Sequence, residues 1–218
     1  MTPSEYKQMM QYLTRKKTKR EFPKEDTIRL PVTKYDTPPT PLEKKMIDVI
    51  KYNLKKDFKT KKDKMVDHCL NYKDRIFEGM GYNYEIDLNN DFVNLYQLFL
   101  KKCKDTFKKI SFIDPTPRCL CCLIDKDTYE NSWHDHSDTC TVNGVFYLKL
   151  ADTERGIAFN LNERNKIIPD EFDLLIMKNS LKHKPLLPKR KNDCRISINM
   201  SVFCKENADS IFEESNRI

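Results

Sequence analysis

The sequence predicts an α+β fold, with helices in the first half packed against a β barrel or sandwich in the second. Three observations carry this. The chain holds 4 glycines and none precedes Gly79, which favours helix over tight-turned sheet in the first third. Apolar residues there recur at helical spacing. From Pro115 onward short apolar runs (CLCCLI, NGVFYLKL, GIAFNL, FDLLIM, RISINMSVF) alternate with polar loops, and no long helical pattern intervenes. Several strands so spaced read as a sandwich or barrel. The chain divides into an N-terminal helix and proline-rich connector over 1–40, a helical support region over 41–112 and a β core over 113–218.

In chain order, residues 4–16 read as a short amphipathic helix with Tyr6, Met9, Met10 and Leu13 on one side. Residues 21–41 carry five prolines, Pro23, Pro31, Pro38, Pro39 and Pro41, and read as an extended connector. Thr40-Pro41-Leu42-Glu43 gives a helix start: a threonine cap, proline at the first position, glutamate at the third. Leu42, Met46, Val49, Ile50 and Leu54 follow at helical spacing. A further helix is expected from about Lys61 to Glu78, ended by Gly79. Asp91 to Ile110 carries Phe92, Tyr96, Phe99, Cys103, Phe107 and Ile110 as one apolar stripe, the pattern of a core-packed helix.

Composition bounds the function classes. No apolar run reaches the ~18 residues of a membrane span, and MTPSEYKQMM lacks a signal peptide's apolar stretch. The eight cysteines are therefore expected as reduced thiols in a cytoplasmic protein. Cys119, Cys121 and Cys122 lack a second CxxC pair at zinc-finger spacing and read as buried strand residues. The net charge of +7, with lysine and arginine clustered at Arg15–Arg20, Lys55–Lys64 and Lys101–Lys109, fits solvated helix faces. No nucleic-acid-binding motif accompanies it.

The chemistry concentrates in WHDHSDTCTVNGVFYLKL, Trp133 to Leu150. Of the 4 histidines, His134 and His136 lie here, and His183 follows on a later strand. Side chains alternate along a strand, so His134 and His136 share a face, and Asp138 joins them if the strand continues. Two histidines and a carboxylate on one face, with open positions opposite, suit a non-haem Fe(II) oxygenase. Two ligand sets stand: His134, His136 and His183, or His136, Asp138 and His183. Beyond His183 the run RISINMSV alternates Arg195, Ser197 and Asn199 with Ile196, Ile198 and Met200. Its polar face can line a pocket in which Arg195 forks onto a carboxylate and Tyr147 adds a hydroxyl. Trp133 and Tyr129 are candidates for the pocket wall. His68, beside Asp67 and Cys69 on an expected helix, reads as structural.

His134-Asp135-His136, GVFYL, PDEFDLLIMKNSLKH, LKHKPLLP and RISINMSV together resemble the Fe(II)/2-oxoglutarate-dependent oxygenase superfamily, near its prolyl- and lysyl-hydroxylase-like branches. The resemblance covers the C-terminal half and implies a double-stranded β-helix, the jelly-roll barrel. It implies Fe(II), 2-oxoglutarate and dioxygen, with iron on the histidines and 2-oxoglutarate on Arg195 and Tyr147. One position departs: the family's carboxylate stands two residues after the first histidine, where this chain has His136. Thr141-Val142-Asn143 matches the family's next step when His134 comes first, and some family members carry HxH ahead of a similar strand. The implied reaction is hydroxylation or oxidative demethylation, of a prolyl or lysyl residue first, with a nucleobase or small metabolite as other substrates. A non-catalytic metal-binding jelly-roll module and a basic nucleic-acid-binding protein are the competing readings.

Overall fold

The computed structural model describes residues 49–73, 83–107, 109–124, 132–190 and 193–215. The expected helix over 4–16, the proline-rich connector, the Thr40 helix start, Gly79 and Tyr129 lie outside these. A six-stranded antiparallel sheet forms the backbone of the fold. It contains β1 (Val49–Asn53), β2 (Asn83–Glu85), β3 (Cys119–Ile124), β4 (Val142–Lys149), β7 (Asp173–Lys178) and β9 (Arg195–Val202), in the order β1-β7-β4-β9-β3-β2. A smaller sheet holds β5 (Ile157–Phe159), β6 (Asn162–Ile167) and β8 (His183–Pro185), in the order β6-β5-β8. The five apolar runs seen in the sequence supply β3, β4, β5, β7 and β9.

Alternation along the strands sorts side chains into two cores. Ile196, Ile198, Met200 and Val202 of β9, with Phe146 and Leu148 of β4, face the helices. Val145, Tyr147, Leu175, Met177, Ile157 and Phe159 form a second cluster between the sheets. Arg195, Ser197 and Asn199 lie on the alternate positions of β9, so the polar face of that strand turns away from the helix core.

The helical layer is α1 (Lys55–Phe58), α2 (Lys62–Lys73), α3 (Asn90–Thr106) and α4 (Ala208–Ser215). The Asn89 side chain caps α3, accepting from the backbone N–H of Asp91 and Phe92. Phe92, Leu95, Tyr96, Phe99, Leu100 and Cys103 of α3 are buried. The helix ends sooner than its apolar stripe predicts. Phe107 is already extended (φ −106°, ψ 107°), so Ile110 reaches the core from a loop.

One element is corrected outright. Val49, Ile50 and Leu54 were expected on a helix, but Val49–Asn53 is an edge strand, paired from Val49↔Met177 to Asn53↔Asp173. The β-branched Val49 and Ile50, followed by Tyr52, fit a pleated half-buried edge better than a helix. Ile50 and Tyr52 pack toward the helix core and Val49 toward the inter-sheet cluster. Asp173 is fully buried at its end and held by Lys51 Nζ (2.7 Å) and Asn53 Nδ2 (2.9 Å). The short strand β2, the strand β8 and the polar strand β6 (NERNKI) carried no apolar run to announce them.

None of the eight cysteines is in a disulfide, and Cys119, Cys121 and Cys122 are buried in β3 as expected. His68 contacts the Asp87 carbonyl at 2.9 Å and lies 5.3 Å from the Phe92 ring, a packing role. No helix among the described residues is long and apolar enough to cross a membrane.

Candidate metal centre

His134 and His183 face each other as a reciprocal antiparallel pair. The His134 N–H reaches the His183 carbonyl at 3.0 Å, and the His183 N–H reaches the His134 carbonyl at 2.9 Å. This bridge continues the smaller sheet one strand beyond β8. His136 is anchored by its own N–H to the Asn179 carbonyl at 2.7 Å. Asn179 Nδ2 in turn donates to the Cys140 carbonyl at 2.9 Å. Thus the chain just before β4 is tied to the loop between β7 and β8, and three imidazoles meet.

One ring nitrogen from each of His134, His136 and His183 lies within 4.8 Å of the others. Ring centroids are 4.4 Å apart for His134 and His183, 5.1 Å for His136 and His183, and 5.4 Å for His134 and His136. His134 Nδ1 donates to the Ser132 carbonyl (3.0 Å) and His183 Nδ1 to the Leu181 carbonyl (2.9 Å). A carbonyl only accepts, so both rings carry a proton on Nδ1, which leaves Nε2 as the nitrogen that can ligate. His136 Nε2 is buried with no hydrogen-bond partner.

Burial lowers His136 to about 4, with His134 adding to the effect and Asp135 opposing it. Burial also holds His183 well below the usual histidine range, reinforced by His134 and His136 and opposed by the bond to Leu181. At neutral pH both are uncharged. Convergent imidazoles, two with a proton held on Nδ1 and one with an orphaned nitrogen, are the donor set of a divalent transition metal. The residues fit iron.

Asp138 is not part of this group. The chain turns at Ser137–Thr139, closed by Thr139 N–H (2.9 Å) and Cys140 N–H (3.2 Å) on the His136 carbonyl, and Asp138 is exposed. The strand on which Asp138 would have shared the histidine face does not continue that far. Among the described residues this is the single cluster of histidine, cysteine and carboxylate groups so arranged.

The remaining candidates line the neighbouring interior. Ser197 stands opposite Tyr147 on β4 and opposite Cys122 on β3. Arg195, Ser197 and Tyr147 are buried and Asn199 half-buried. The Arg195 guanidinium carbon lies 5.8 Å from the Tyr147 ring centroid. Asn143 pairs with Ser201 on the same face of β4 as Tyr147, and its buried Nδ2 has no partner. Burial raises the Tyr147 hydroxyl, partly countered by Arg195, so it stays protonated and can donate. Trp133 is half-buried beneath Lys184 Nζ, 6.0 Å from its ring centroid.

Two acidic residues that the sequence did not single out matter here. Glu154 contacts Arg195 directly. Asp193 gathers the loop after β4, accepting from the backbone of Asp152 (2.6 Å) and Thr153 (2.7 Å). Each acts across about 40 residues of chain, and no local spacing marks such partners.

No protein-family model matches the chain, and no curated protein does. Solved structures do. A truncated form of the viral collagen prolyl hydroxylase vCPH from Paramecium bursaria Chlorella virus-1 superposes with a TM-score of 0.50 at 14% identity, covering 77% of this chain and 93% of that one. The non-heme alpha-ketoglutarate-dependent carbocyclase SnoK from nogalamycin biosynthesis matches with a TM-score of 0.50 at 8% identity, covering 72% and 80%. The chain shares the double-stranded β-helix fold of these structures. In that double-stranded β-helix the two sheets face each other, and the histidine cluster sits where the chain before β4 meets β8 and the loop that leads to it. The α+β jelly-roll reading of the sequence holds.

Proposed function

We propose that the protein is an Fe(II)- and 2-oxoglutarate-dependent oxygenase that hydroxylates, or oxidatively demethylates, a substrate C–H bond. The observation that carries this is the convergence of His134, His136 and His183 within 4.8 Å, with His136 Nε2 buried and unpaired, inside an oxygenase fold. The three histidines would hold iron. Bound together, iron, 2-oxoglutarate and dioxygen supply the oxidising chemistry, with succinate and carbon dioxide as by-products.

The chain's own residues do the rest. Neutral imidazoles, unlike a carboxylate, leave the full ionic charge to attract an anionic co-substrate. Ser132 and Leu181 carbonyls fix the two rings that face each other. Arg195, with an unpartnered buried Nε, and the protonated Tyr147 would orient the co-substrate's second carboxylate, with Ser197 and Asn199 along the same face. Asn143 Nδ2 offers a further buried donor on the same face of β4. The inter-sheet cluster of Val145, Leu175 and Met177 excludes water from the interior. A protein prolyl residue is the first substrate class to try, on the likeness to the viral prolyl hydroxylase.

The test is iron-dependent conversion of 2-oxoglutarate to succinate, assayed with prolyl peptides and without substrate. Conversion that disappears in the His183→Ala protein supports the reading. Conversion unaffected by that substitution would remove the histidine cluster from the chemistry.

A further inference from the structure

The guanidinium of Arg195 already holds a carboxylate. Its Nη1 donates to Glu154 Oε1 at 2.7 Å and to the Gly156 carbonyl at 3.2 Å. The two charged side chains are 2% and 7% exposed. The same Glu154 oxygen accepts the backbone N–H of Gly156 at 2.7 Å and of Arg155 at 3.1 Å. Glu154 is therefore seated on the arginine by the turn that leads into β5. Gly156 makes that seat possible. Its φ is +83°, and a Cβ there would lie 1.9 Å from the Ile167 carbonyl oxygen. Two atoms of the pair remain buried without partners, Arg195 Nε and Glu154 Oε2.

Charge at this end of the pocket is thus balanced before any ligand arrives. A carboxylate approaching Arg195 meets a neutral pair instead of a bare cation. It also meets the like charge of Glu154, in a dry site where such repulsion is weakly screened. Glu154 cannot leave without stranding two backbone donors.

We propose that Glu154 is a specificity-determining residue: an internal carboxylate that competes with the distal carboxylate of the co-substrate and opens the pocket to 2-oxo acids that have no second carboxylate. This rests on the assignment of the histidines and Arg195 as an iron and 2-oxo acid site. It sets this chain apart from a site whose arginine is reserved for 2-oxoglutarate.

The experiment is an anaerobic calorimetric titration of the Fe(II)-loaded protein with 2-oxoglutarate and with 2-oxobutyrate, which keeps the chelating end and ends in a methyl group. For the unaltered protein the two affinities fall within about 10-fold of each other, because the charge-assisted bond that would separate them is already taken. A preference for 2-oxoglutarate greater than about 10-fold overturns the proposal and needs no variant to be folded. Glu154→Gln keeps an oxygen for the backbone donors and removes the charge. It tightens 2-oxoglutarate by about 10-fold or more and leaves 2-oxobutyrate unchanged. A Glu154→Gln protein with native thermal unfolding but no such gain overturns the proposal while leaving the iron site standing. Binding of neither acid to iron-loaded protein overturns the site assignment itself, and the proposal with it.

Discussion

His136 occupies the position at which the resembled family has a carboxylate, and the structure shows why the next acidic residue does not replace it. Asp138 is on a turn and exposed, beyond His134, the last residue bridged to the smaller sheet before β4. The sequence left two ligand sets open because the choice depended on where an irregular strand stops, which alternation cannot tell. The partners of Arg195 were equally hidden, since Glu154 comes from a loop remote in sequence. Two predictions belong at this scale. Gly156→Ala must drive a Cβ into a carbonyl oxygen and gives up the positive φ, so it costs several kcal/mol, on the order of 3 or more; a guanidinium unfolding curve matching the parent protein would contradict this. Asp193 supplies pH dependence. Burial raises its carboxyl, but hydrogen bonds from Thr153 and Asp152 outweigh that and hold it below the ordinary value. A depressed carboxyl contributes stability above its unfolded pKa and loses it as pH falls through the folded one. Asp193→Asn is therefore less stable than the parent at neutral pH, and the gap closes as pH falls through the depressed carboxyl's own range; a gap that widens on acidification would contradict the assignment.

Among elements, the long strands with clear apolar runs were legible and the short or polar ones were not. β4, β7 and β9 form the middle of the main sheet, where burial on both faces produces continuous apolar stretches such as FDLLIM. β6 is polar because it lies at the edge of the smaller sheet, so its strand character comes from pairing with β5 instead of from its own residues. β1 was misread because VIKYN is too short for period to decide between helix and strand. The contact between β4 and α3 offers a sharp test of the packing. A Cβ added at Gly144 would stand 2.7 and 2.8 Å from two ring carbons of Phe99, itself fully buried. Gly144→Ala should destabilise by about 1–3 kcal/mol as α3 is pushed outward, and Phe99→Leu in the same chain should recover part of that loss. Equal stability of parent and Gly144→Ala in urea would show that the helix is not seated as described.

At the scale of the molecule, the helix layer supports one face of the main sheet and leaves the other face to pack against the smaller sheet. The histidine cluster is drawn from two separate pieces of chain, His134 and His136 before β4 and His183 at β8, with Asn179 after β7 anchoring the first. A metal bound there ties those pieces together and stabilises the folded state by mass action. Saturating the cluster at about 100 times its dissociation constant should add about 2.7 kcal/mol, read as a rise in Tm with Fe(II) or Co(II) under anaerobic conditions. The same addition should leave the Tm of the His183→Ala protein where it was. The measurement that bears most directly on the central claim is an anaerobic titration of metal-free protein with Fe(II) and then a 2-oxo acid, following the weak visible charge-transfer band of the chelate. The account predicts that the band develops in the parent protein and is absent in His183→Ala. Iron binding with no band from any 2-oxo acid, or a band that survives the loss of His183, would contradict it.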